Sequence, residues 1–419
     1  MEIPTPVNCQ RLLDRFLHYV RIGTAADPNC ESYPSSPGQL ALGQLLTEEL
    51  EAMGAEDVEQ DQHGLVWATI PASIPEATPT ILFNAHVDTS PEAPGDNVNP
   101  QVIECYEGGD IELEKEGRVI CVKDCPALEK MQGHCLVTTD GSTLLGGDDK
   151  AGVASIMELA NYLIENPTVP HGPVRILFTC DEEIGLGAKH MDLGKAGAHA
   201  GYTLDGAGNG EVEAENFSAD QVVVRAIGYN IHPAIAKNKM KNALRALSAF
   251  VASLPTDSLS PETTDGKQGF VHPYDLVGGV GEAHCKILLR DFDTNQLDKY
   301  EALIREVANE TQAQHPGVEF EVERSRQYRN MADFIENSPE VVALAQQAFE
   351  AVGRPCELGA IRGGTDGAQF SEMGLPTPNL SVGQHNIHSV LEFASITEMT
   401  WAIEHCIAML GLWQAHASS

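Results

Sequence analysis

The stretch VRILFTCDEEIG, residues 174–185, decides the fold class of this 419-residue chain. Residues 174–180 form a short apolar run that predicts a buried strand, and the three acidic residues 181–183 follow directly after it. Neighbouring carboxylates at the end of a buried strand repel one another unless cations neutralise them. Glu182 and Glu183 point in different directions, so one can bind a metal ion while the other takes a proton from water. A solvated acidic turn is the alternative interpretation.

Four further segments combine an apolar run with side chains that can bind a metal ion. They are ILFNAHVDTS (81–90) with His86 and Asp88, LLGGDDKAG (144–152) with Asp148, AGYTLDGAG (200–208) with Asp205, and GQHNIHSVLEF (383–393) with His388. Imidazole and carboxylate together suit zinc, cobalt or manganese. A surplus carboxylate beside such ligands is what metal-assisted hydrolysis needs as a base.

The spacing within two of these segments supports a metal site. On an extended strand, residues two apart point to the same face, so Asp88 can accept the second ring N–H of His86 and fix its tautomer. Asp148 stands before a predicted helix and can bridge two metal ions ~3.5–4 Å apart. The alternatives are a surface turn for His86 and Asp88, and for Asp148 a helix N-terminus, where the dipole favours an acid. A phosphate-binding loop is disfavoured because the GxxxxGK[ST] pattern is absent.

Strands that alternate with helices predict an α/β fold. Apolar runs near 64–71, 80–88 and 174–180 predict strands, and helical spacing covers residues 8–22, 38–54, 152–161 and 395–413. The candidate ligands lie at the C-terminal ends of strands, where open α/β sheets bind their ligands. Residues 216–328 contain none of the five ligand segments. They therefore predict an inserted domain that divides a catalytic domain into residues 1–215 and 329–419.

The bulk composition excludes several classes of partner. The net charge of −35 argues against nucleic acid and against an anionic membrane, because both need basic patches. No run of about 18 apolar residues predicts a membrane span. The ten cysteines are scattered singly and the N-terminus shows no secretory signal, so we expect a reducing cytoplasm.

The ordered set of segments resembles the di-zinc exopeptidases of the aminoacylase/glutamate-carboxypeptidase type. The similarity runs from about residue 10 to 410, and beyond the ligand segments it is carried by IHPAIAKNKMKNA (231–243), LLRDFD (288–293) and IRGGTDGAQFSEMGLPTPNL (361–380). The resemblance implies an α/β, zinc-exopeptidase-like catalytic domain with a mixed sheet sandwiched by helices. It also implies a smaller inserted α+β domain for lid and dimerisation functions.

The resemblance further implies two divalent cations, zinc first, with cobalt and manganese as alternatives. One cation would be held by His86 and Asp205, the other by Glu183 and His388, and Asp148 would bridge both.

Five other residues receive roles from the resemblance. Asp88 would orient His86, and Glu182 would be the general base and later the general acid. His232 would reach the active site of the partner subunit in a homodimer and stabilise the oxyanion. Arg290 and Arg362 would hold the substrate carboxylate or carbonyl, since a guanidinium suits bidentate binding; ordinary salt bridges are the alternative.

The implied function is a metal-dependent aminopeptidase that releases the N-terminal residue from tripeptides. Other metallo-amidohydrolases on the same scaffold are the alternatives: a dipeptidase, a carboxypeptidase or an N-acyl amino acid deacylase. A non-catalytic binding protein is the alternative from another class. Three positions depart from the family pattern: Ala234 and Asn238 replace expected glycines, and His385, which could compete as a metal ligand, replaces an aromatic residue.

Overall fold

The structure is a computed structural model that describes residues 5–74 and 78–417. The strands are β1 (Glu56–Gln60), β2 (Val66–Ile70), β3 (Ile81–His86), β4 (Gln101–Ile103), β5 (Ile111–Glu112), β6 (Val119–Ile120), β7 (Leu136–Thr138), β8 (Val174–Thr179), β9 (Ala200–Ala207), β10 (Glu211–Asn216), β11 (Ser218–Ile227), β12 (Phe270–Gly278), β13 (Glu282–Asp291), β14 (Glu319–Tyr328), β15 (Glu357–Ile361), β16 (Asn379–His385) and β17 (Phe393–Ser395). The α-helices are α1 (Cys9–Val20), α2 (Pro37–Met53), α3 (Gly147–Glu165), α4 (Leu193–Ala196), α5 (Ala243–Ser253), α6 (Thr294–Gln314), α7 (Ala332–Ile335), α8 (Pro339–Ala351), α9 (Asp366–Met373) and α10 (Ile396–Ala417). Within the described residues, none of these helices combines the length and the apolar character that crossing a bilayer requires.

The chain folds as two compact units. The larger unit comprises Met1–Ala214, Phe334–Ala360 and Thr365–Ser419, and the smaller unit comprises Glu215–Asp333 and Ile361–Gly364. The catalytic and lid functions expected of the corresponding parts of the chain stay predictions.

The larger unit is built on one mixed sheet of 11 strands, which confirms the predicted α/β class. The strand order is β1-β2-β8-β3-β9-β16-β17-β7-β4, and β10 and β15 are attached at β16. Strands β8, β3, β9 and β16 run parallel to one another, whereas β2 runs antiparallel to β8. The carboxyl ends of the four parallel strands therefore meet at one edge of the sheet.

Both faces of the central strands are covered, which explains why their sequences read as continuous apolar runs. Along β8, Ile176 and Phe178 join the main core, whose other members include residues of α1, α3, α8 and α10. Leu177, between them, points to the opposite face and packs in a second cluster with Leu82 and Phe370.

The start of α3 differs from a regular helix. The helix is assigned from Gly147, but the backbone angles of Asp148 (φ −81, ψ 104) and Asp149 (φ −119, ψ 33) are not helical. Regular helix therefore begins after these two residues, close to the predicted start at residue 152. Because of this irregular turn, the carboxylates of Asp148 and Asp149 point in other directions than they would on a regular helix.

The smaller unit has its own core. Four antiparallel strands form a sheet in the order β12-β13-β11-β14. Alternate residues of β11 (Val222, Val224 and Ala226) are buried in a cluster with residues of α5 and α6. This alternation is typical of an antiparallel sheet that is covered by helices on one face.

Candidate metal centre

The candidate ligands come together because three neighbouring strands end at the same edge. His86, the last residue of β3, lies opposite Thr179, the last residue of β8. The acidic turn that contains Glu182 and Glu183 follows Thr179 after two residues. On the other side of β3, strand β9 carries Asp205 near its end.

The first group of ligands consists of His86, Asp148 and Asp205. The Nε2 atom of His86 lies 3.1 Å from Oδ1 of Asp148 and 3.7 Å from Oδ1 of Asp205. One ligand atom of each residue falls within 4.8 Å of the others. A single cation can therefore contact all three side chains.

The second group consists of Asp148, Glu183 and His388. The Nε2 atom of His388 lies 3.0 Å from Oε2 of Glu183 and 3.2 Å from Oδ2 of Asp148. These ligand atoms also lie within 4.8 Å of one another. Asp148 thus turns Oδ1 to the first group and Oδ2 to the second, which is the arrangement of a carboxylate that bridges two cations.

The chemistry of the donor set fits divalent cations. Two imidazoles and three carboxylates are the ligand types that zinc, cobalt and manganese accept. Burial raises the pKa of Glu183 to about 8, and the charge of Asp148 acts in the same direction. The Oε1 atom of Glu183 is buried without a hydrogen-bond partner among the described residues. A buried carboxylate oxygen without a donor is stabilised when a cation contacts it.

The carboxylates of the two ligand groups raise the pKa of both histidines. Burial alone would lower the pKa of His388, but hydrogen bonds to Asp148 and Glu183 outweigh it and raise the pKa to about 11. For His86, burial is likewise outweighed by hydrogen bonds to Asp148, Asp205 and Asp88, so its pKa is raised well above the ordinary value. Both imidazoles therefore lie in a strongly negative field, which also attracts metal cations.

Glu182 lies beside the first group and belongs to neither. Its Oε2 atom is 4.0 Å from Nε2 of His86. Burial raises the pKa of Glu182 well above its ordinary value, and the negative charges of Asp366 and Asp205 act in the same direction against the effect of His86. Glu182 is therefore a largely buried carboxylate close to the ligands that neither of the two groups includes.

Asp88 contacts both His86 and the acidic turn. One carboxylate oxygen lies 3.4 Å from Nδ1 of His86, and the backbone carbonyl of Asp88 lies 3.1 Å from the same nitrogen. The two carboxylate oxygens also accept the backbone N–H groups of Glu182 and Glu183, each at 3.1 Å. Asp88 therefore ties the ring of His86 to the turn that carries the spare glutamate.

Two acids that the sequence analysis did not select support the site through backbone contacts. The carboxylate of Asp149 accepts the N–H groups of His86 at 3.1 Å and Gly152 at 3.2 Å. Glu392, which is fully buried, accepts the N–H groups of Leu145 (2.7 Å), Gly146 (2.8 Å) and Asp148 (3.0 Å). The presence of Glu392 in the His388 segment was the only sequence signal that could have found it.

His385 lies outside both ligand groups. Its Nε2 atom is 2.7 Å from Oε2 of Glu398, and its ring stacks on Phe393 at a centroid distance of 4.7 Å. Within the described part of the chain, the metal-ligand groups therefore include His388 and not His385.

His232 and Arg290 of the insert lie in the smaller unit, and so does Arg362, which the sequence places in residues 329–419. Their assigned roles stay predictions. His232 is exposed, and its Nδ1 accepts the N–H of Ala234 at 3.2 Å. Asn238, where the family pattern predicts glycine, has a φ of 63°, a left-handed conformation that asparagine tolerates.

The two arginines differ in how their donors are used. Arg290 donates to the backbone carbonyl of Arg362 at 3.2 Å, whereas its Nε is buried without a partner among the described residues. The guanidinium of Arg362 donates to the carbonyls of Gly266 (2.5 Å) and Gln268 (3.0 Å) and lies 5.0 Å from the ring centroid of Phe217.

Comparison with known proteins gives matches over nearly the whole chain. Residues 138–411 match the model of peptidase family M20/M25/M40. Peptidase T from Geobacillus kaustophilus (strain HTA426) is 43% identical over 410 residues, covering 98% of this chain and 100% of the relative. The crystal structure of aminopeptidase PepT from Bacillus cereus ATCC 10987 superposes with a TM-score of 0.74 at 26% identity, covering 98% of this chain and 99% of that one. A tripeptidase from Staphylococcus aureus subsp. aureus Mu50 shares the fold at 22% identity, with a TM-score of 0.78 and coverage of 98% and 100%.

Proposed function

Because the chain belongs to peptidase family M20/M25/M40, we propose that it is a metal-dependent aminopeptidase that releases the N-terminal residue from tripeptides. The family match confirms the predicted enzyme class and fold. The names of the relatives, peptidase T and aminopeptidase PepT, support the proposed substrate and the end of the peptide that is cleaved. The observation that carries the proposal is the carboxylate of Asp148 shared between two ligand groups, with Glu182 beside them.

We assign His86 and Asp205 to one divalent cation, Glu183 and His388 to the other, and Asp148 to both. Zinc is the proposed metal, with cobalt and manganese as alternatives, since all three accept these ligands. When bound, the cations would lower the pKa of water and polarise the scissile carbonyl.

Glu182 is the proposed proton carrier. Its raised pKa lets the carboxylate accept a proton from the attacking water and return it to the leaving amine. Asp88 orients His86, because an Nδ1–H that points to Asp88 leaves the Nε2 lone pair directed at the ligand group.

Residues of the smaller unit would bind the rest of the substrate. We propose that His232, contributed by the partner subunit, donates to the developing oxyanion, and that Arg290 and Arg362 bind the substrate carboxylate or carbonyl. The unpartnered Nε of Arg290 supports a free donor. Arg362 would first have to release the carbonyls of Gly266 and Gln268.

The smaller unit also supports the proposed homodimer. Strand β12 is at the edge of its sheet, and its exposed side chains include Tyr274 (44% exposed), Leu276 (43%) and Val277 (51%). An apolar edge strand pairs readily with a second copy of itself. Sedimentation of the native chain and of Val277→Lys tests this, because a charged edge should shift a dimer toward monomer.

The proposed location is the cytoplasm. All ten cysteines are free thiols, which fits a reducing compartment.

The deciding experiment compares Glu182→Ala with the native chain and with Glu129→Ala, an exposed control. Glu182→Ala should bind Zn²⁺ and lose nearly all turnover of a tripeptide, whereas Glu129→Ala should keep both properties. Normal turnover by Glu182→Ala would contradict the assignment.

A peptide panel separates the aminopeptidase from its alternatives. Tripeptides with free amines should lose their first residue, and N-blocked tripeptides should resist. Release of the last residue would indicate a carboxypeptidase, and cleavage of N-acyl amino acids a deacylase. No hydrolysis by protein loaded with Zn²⁺, Co²⁺ or Mn²⁺ in turn would favour a binding protein.

A further inference from the structure

Asp205 lies where the backbone ladders on both sides of β9 are interrupted. The pairing of β3 with β9 runs from Ile81 opposite Ala200 to Asn84 opposite Thr203, so it ends before Asp205. On the other side, the register of β16 against β9 shifts between Asn379 and Ser381 and again between Ser381 and Gln384. The backbone of Asp205 therefore needs other hydrogen-bond partners.

Asn379 supplies the first of these partners. Its Oδ1 accepts the backbone N–H of Asp205 at 3.1 Å and the hydroxyl of Thr203 at 2.8 Å. Its Nδ2 donates to Oε2 of Glu213 at 2.7 Å. Since a carboxylate oxygen accepts and a backbone N–H donates, these contacts define which end of the Asn379 amide faces Asp205.

Gln384 supplies the second partner. Its Nε2 donates to the backbone carbonyl of Asp205 at 2.9 Å and to the carboxylate Oδ1 at 3.2 Å. The side chain is fully buried, and within the described residues its Oε1 has no hydrogen-bond partner. The Nε2 of Gln384 thus donates to two oxygens of Asp205, while the Oε1 of the same amide accepts no hydrogen bond within the described residues. An unsatisfied buried oxygen costs free energy, so packing alone does not favour this arrangement.

The strands approach closely at this point. A Cβ atom added at Gly206 would lie 2.8 Å from the backbone N and Cα of Ser381. A residue with a side chain would therefore not fit at position 206, and the backbone next to Asp205 lies directly against β16.

We propose that Asn379 and Gln384 are positioning residues that act through Asp205. We call the pair the amide clamp. It holds the Asp205 carboxylate toward His86, where Oδ1 lies 3.7 Å from Nε2. The inference rests on the proposed function, because it takes Asp205 as a metal ligand.

The clamp should act on one cation and spare the other. Among the hydrogen bonds of the described residues, neither amide pairs with Glu183 or His388. The geometry of these two ligands depends instead on Asp88, which accepts the N–H of Glu183, and on the loop that carries His388. Loss of the clamp should therefore lower the affinity for the ion held by His86 and Asp205 by about 10–100-fold. This is the usual effect of removing a group that orients a metal ligand.

The test is a titration of metal-depleted protein with Zn²⁺, followed by calorimetry. Asp205→Ala identifies the binding event of the first ion, and His388→Ala identifies that of the second. Gln384→Met and Asn379→Ala should lower the affinity of the binding event that Asp205→Ala removes. The affinity of the second binding event should stay nearly unchanged. Gln384→Asn, which keeps the amide but shortens it, is the milder variant if either of these folds poorly.

The control is Asn330→Ala. This buried amide lies in the smaller unit and donates to the carbonyl of Phe292 at 3.0 Å. It should lower stability without changing either binding event. Equal weakening of both events in the clamp variants, unchanged affinities, or the same selective loss in Asn330→Ala would overturn the inference.

The two proposals fail in different ways. If the native chain binds none of Zn²⁺, Co²⁺ and Mn²⁺, the proposed function is wrong. If the native chain binds two ions and cleaves tripeptides, and the folded clamp variants bind both ions as tightly, only the clamp is wrong.

Discussion

Replacing Glu392 should destabilise the loop before α3 in proportion to the number of hydrogen-bond acceptors that are lost. The Oε2 atom accepts the N–H groups of Leu145 and Gly146, and Oε1 accepts that of Asp148. A buried N–H without a partner costs about 1–3 kcal/mol. Glu392→Gln keeps one oxygen for two donors and leaves one N–H unsatisfied, so we expect a loss of about 1–3 kcal/mol.

Glu392→Ala leaves all three donors without their partner. The expected loss is about 3 kcal/mol, the low end of the sum for three unsatisfied donors, because water entering the vacated space can satisfy some of the N–H groups. The same change should weaken metal binding, since the backbone of Asp148 is one of the three donors.

The assay is urea unfolding of metal-depleted protein followed by tryptophan fluorescence. The three tryptophans, Trp67, Trp401 and Trp413, all belong to the larger unit and report on its unfolding. Glu165→Gln is the control: it removes a carboxylate that is 53% exposed and paired with Arg11, and should cost less than about 1 kcal/mol.

The order of the variants decides the interpretation. Equal stability of Glu392→Gln and Glu392→Ala would show that the number of acceptors is not what matters. A loss no larger than that of Glu165→Gln would refute the reasoning altogether.

Three further predictions concern pH, salt and the acidic turn. Burial lowers the pKa of His405 from 6.5 to about 4. Between these two pH values the unfolded chain binds a proton that the folded chain does not. The free energy of unfolding should therefore fall by about 3 kcal/mol as the pH is lowered from 6.5 to 4. Denaturant titrations across that range should show a shallower fall for His405→Leu. With a net charge of −35, added NaCl should raise the thermal midpoint by screening self-repulsion, and a midpoint that falls would contradict this. Asp88→Asn should reduce kcat on a tripeptide about 10–100-fold at saturating Zn²⁺, because the amide cannot accept from His86, Glu182 and Glu183 together; an unchanged kcat would count against a positioning role.

The parts of the fold that the sequence predicts are those with both faces buried. The runs near 80–88 and 174–180 became β3 (Ile81–His86) and β8 (Val174–Thr179), because a strand covered on both sides must be apolar throughout. Parallel pairing then brings His86 opposite Thr179. The five expected ligands meet at this edge since each follows or ends such a strand, or lies on a loop that reaches it.

The supporting residues had no comparable signal. Glu392 contacts backbone groups that lie 244 to 247 residues away in sequence, and Asn379 and Gln384 contact Asp205 over more than 170 residues. The contacts of Asn379 and Gln384 occur where the register of β16 against β9 shifts, which no local spacing reveals. An amide or a carboxylate in these segments looks the same in the sequence whether it binds metal, binds backbone or faces water.

The buried carboxylates around the site fall into two groups, according to the kind of donor from which they accept hydrogen bonds. Asp88, Asp149 and Glu392 each accept two or three backbone N–H groups, which occupy much of their capacity to accept hydrogen bonds. For Asp148 and Glu183, the described contacts are with imidazole nitrogens, and no backbone N–H among the described residues donates to either carboxylate. A carboxylate whose oxygens are saturated by backbone donors cannot also serve a cation well. Within the described residues, the absence of such donors therefore separates Asp148 and Glu183, the expected bridging and terminal ligands, from the acids that hold the loops.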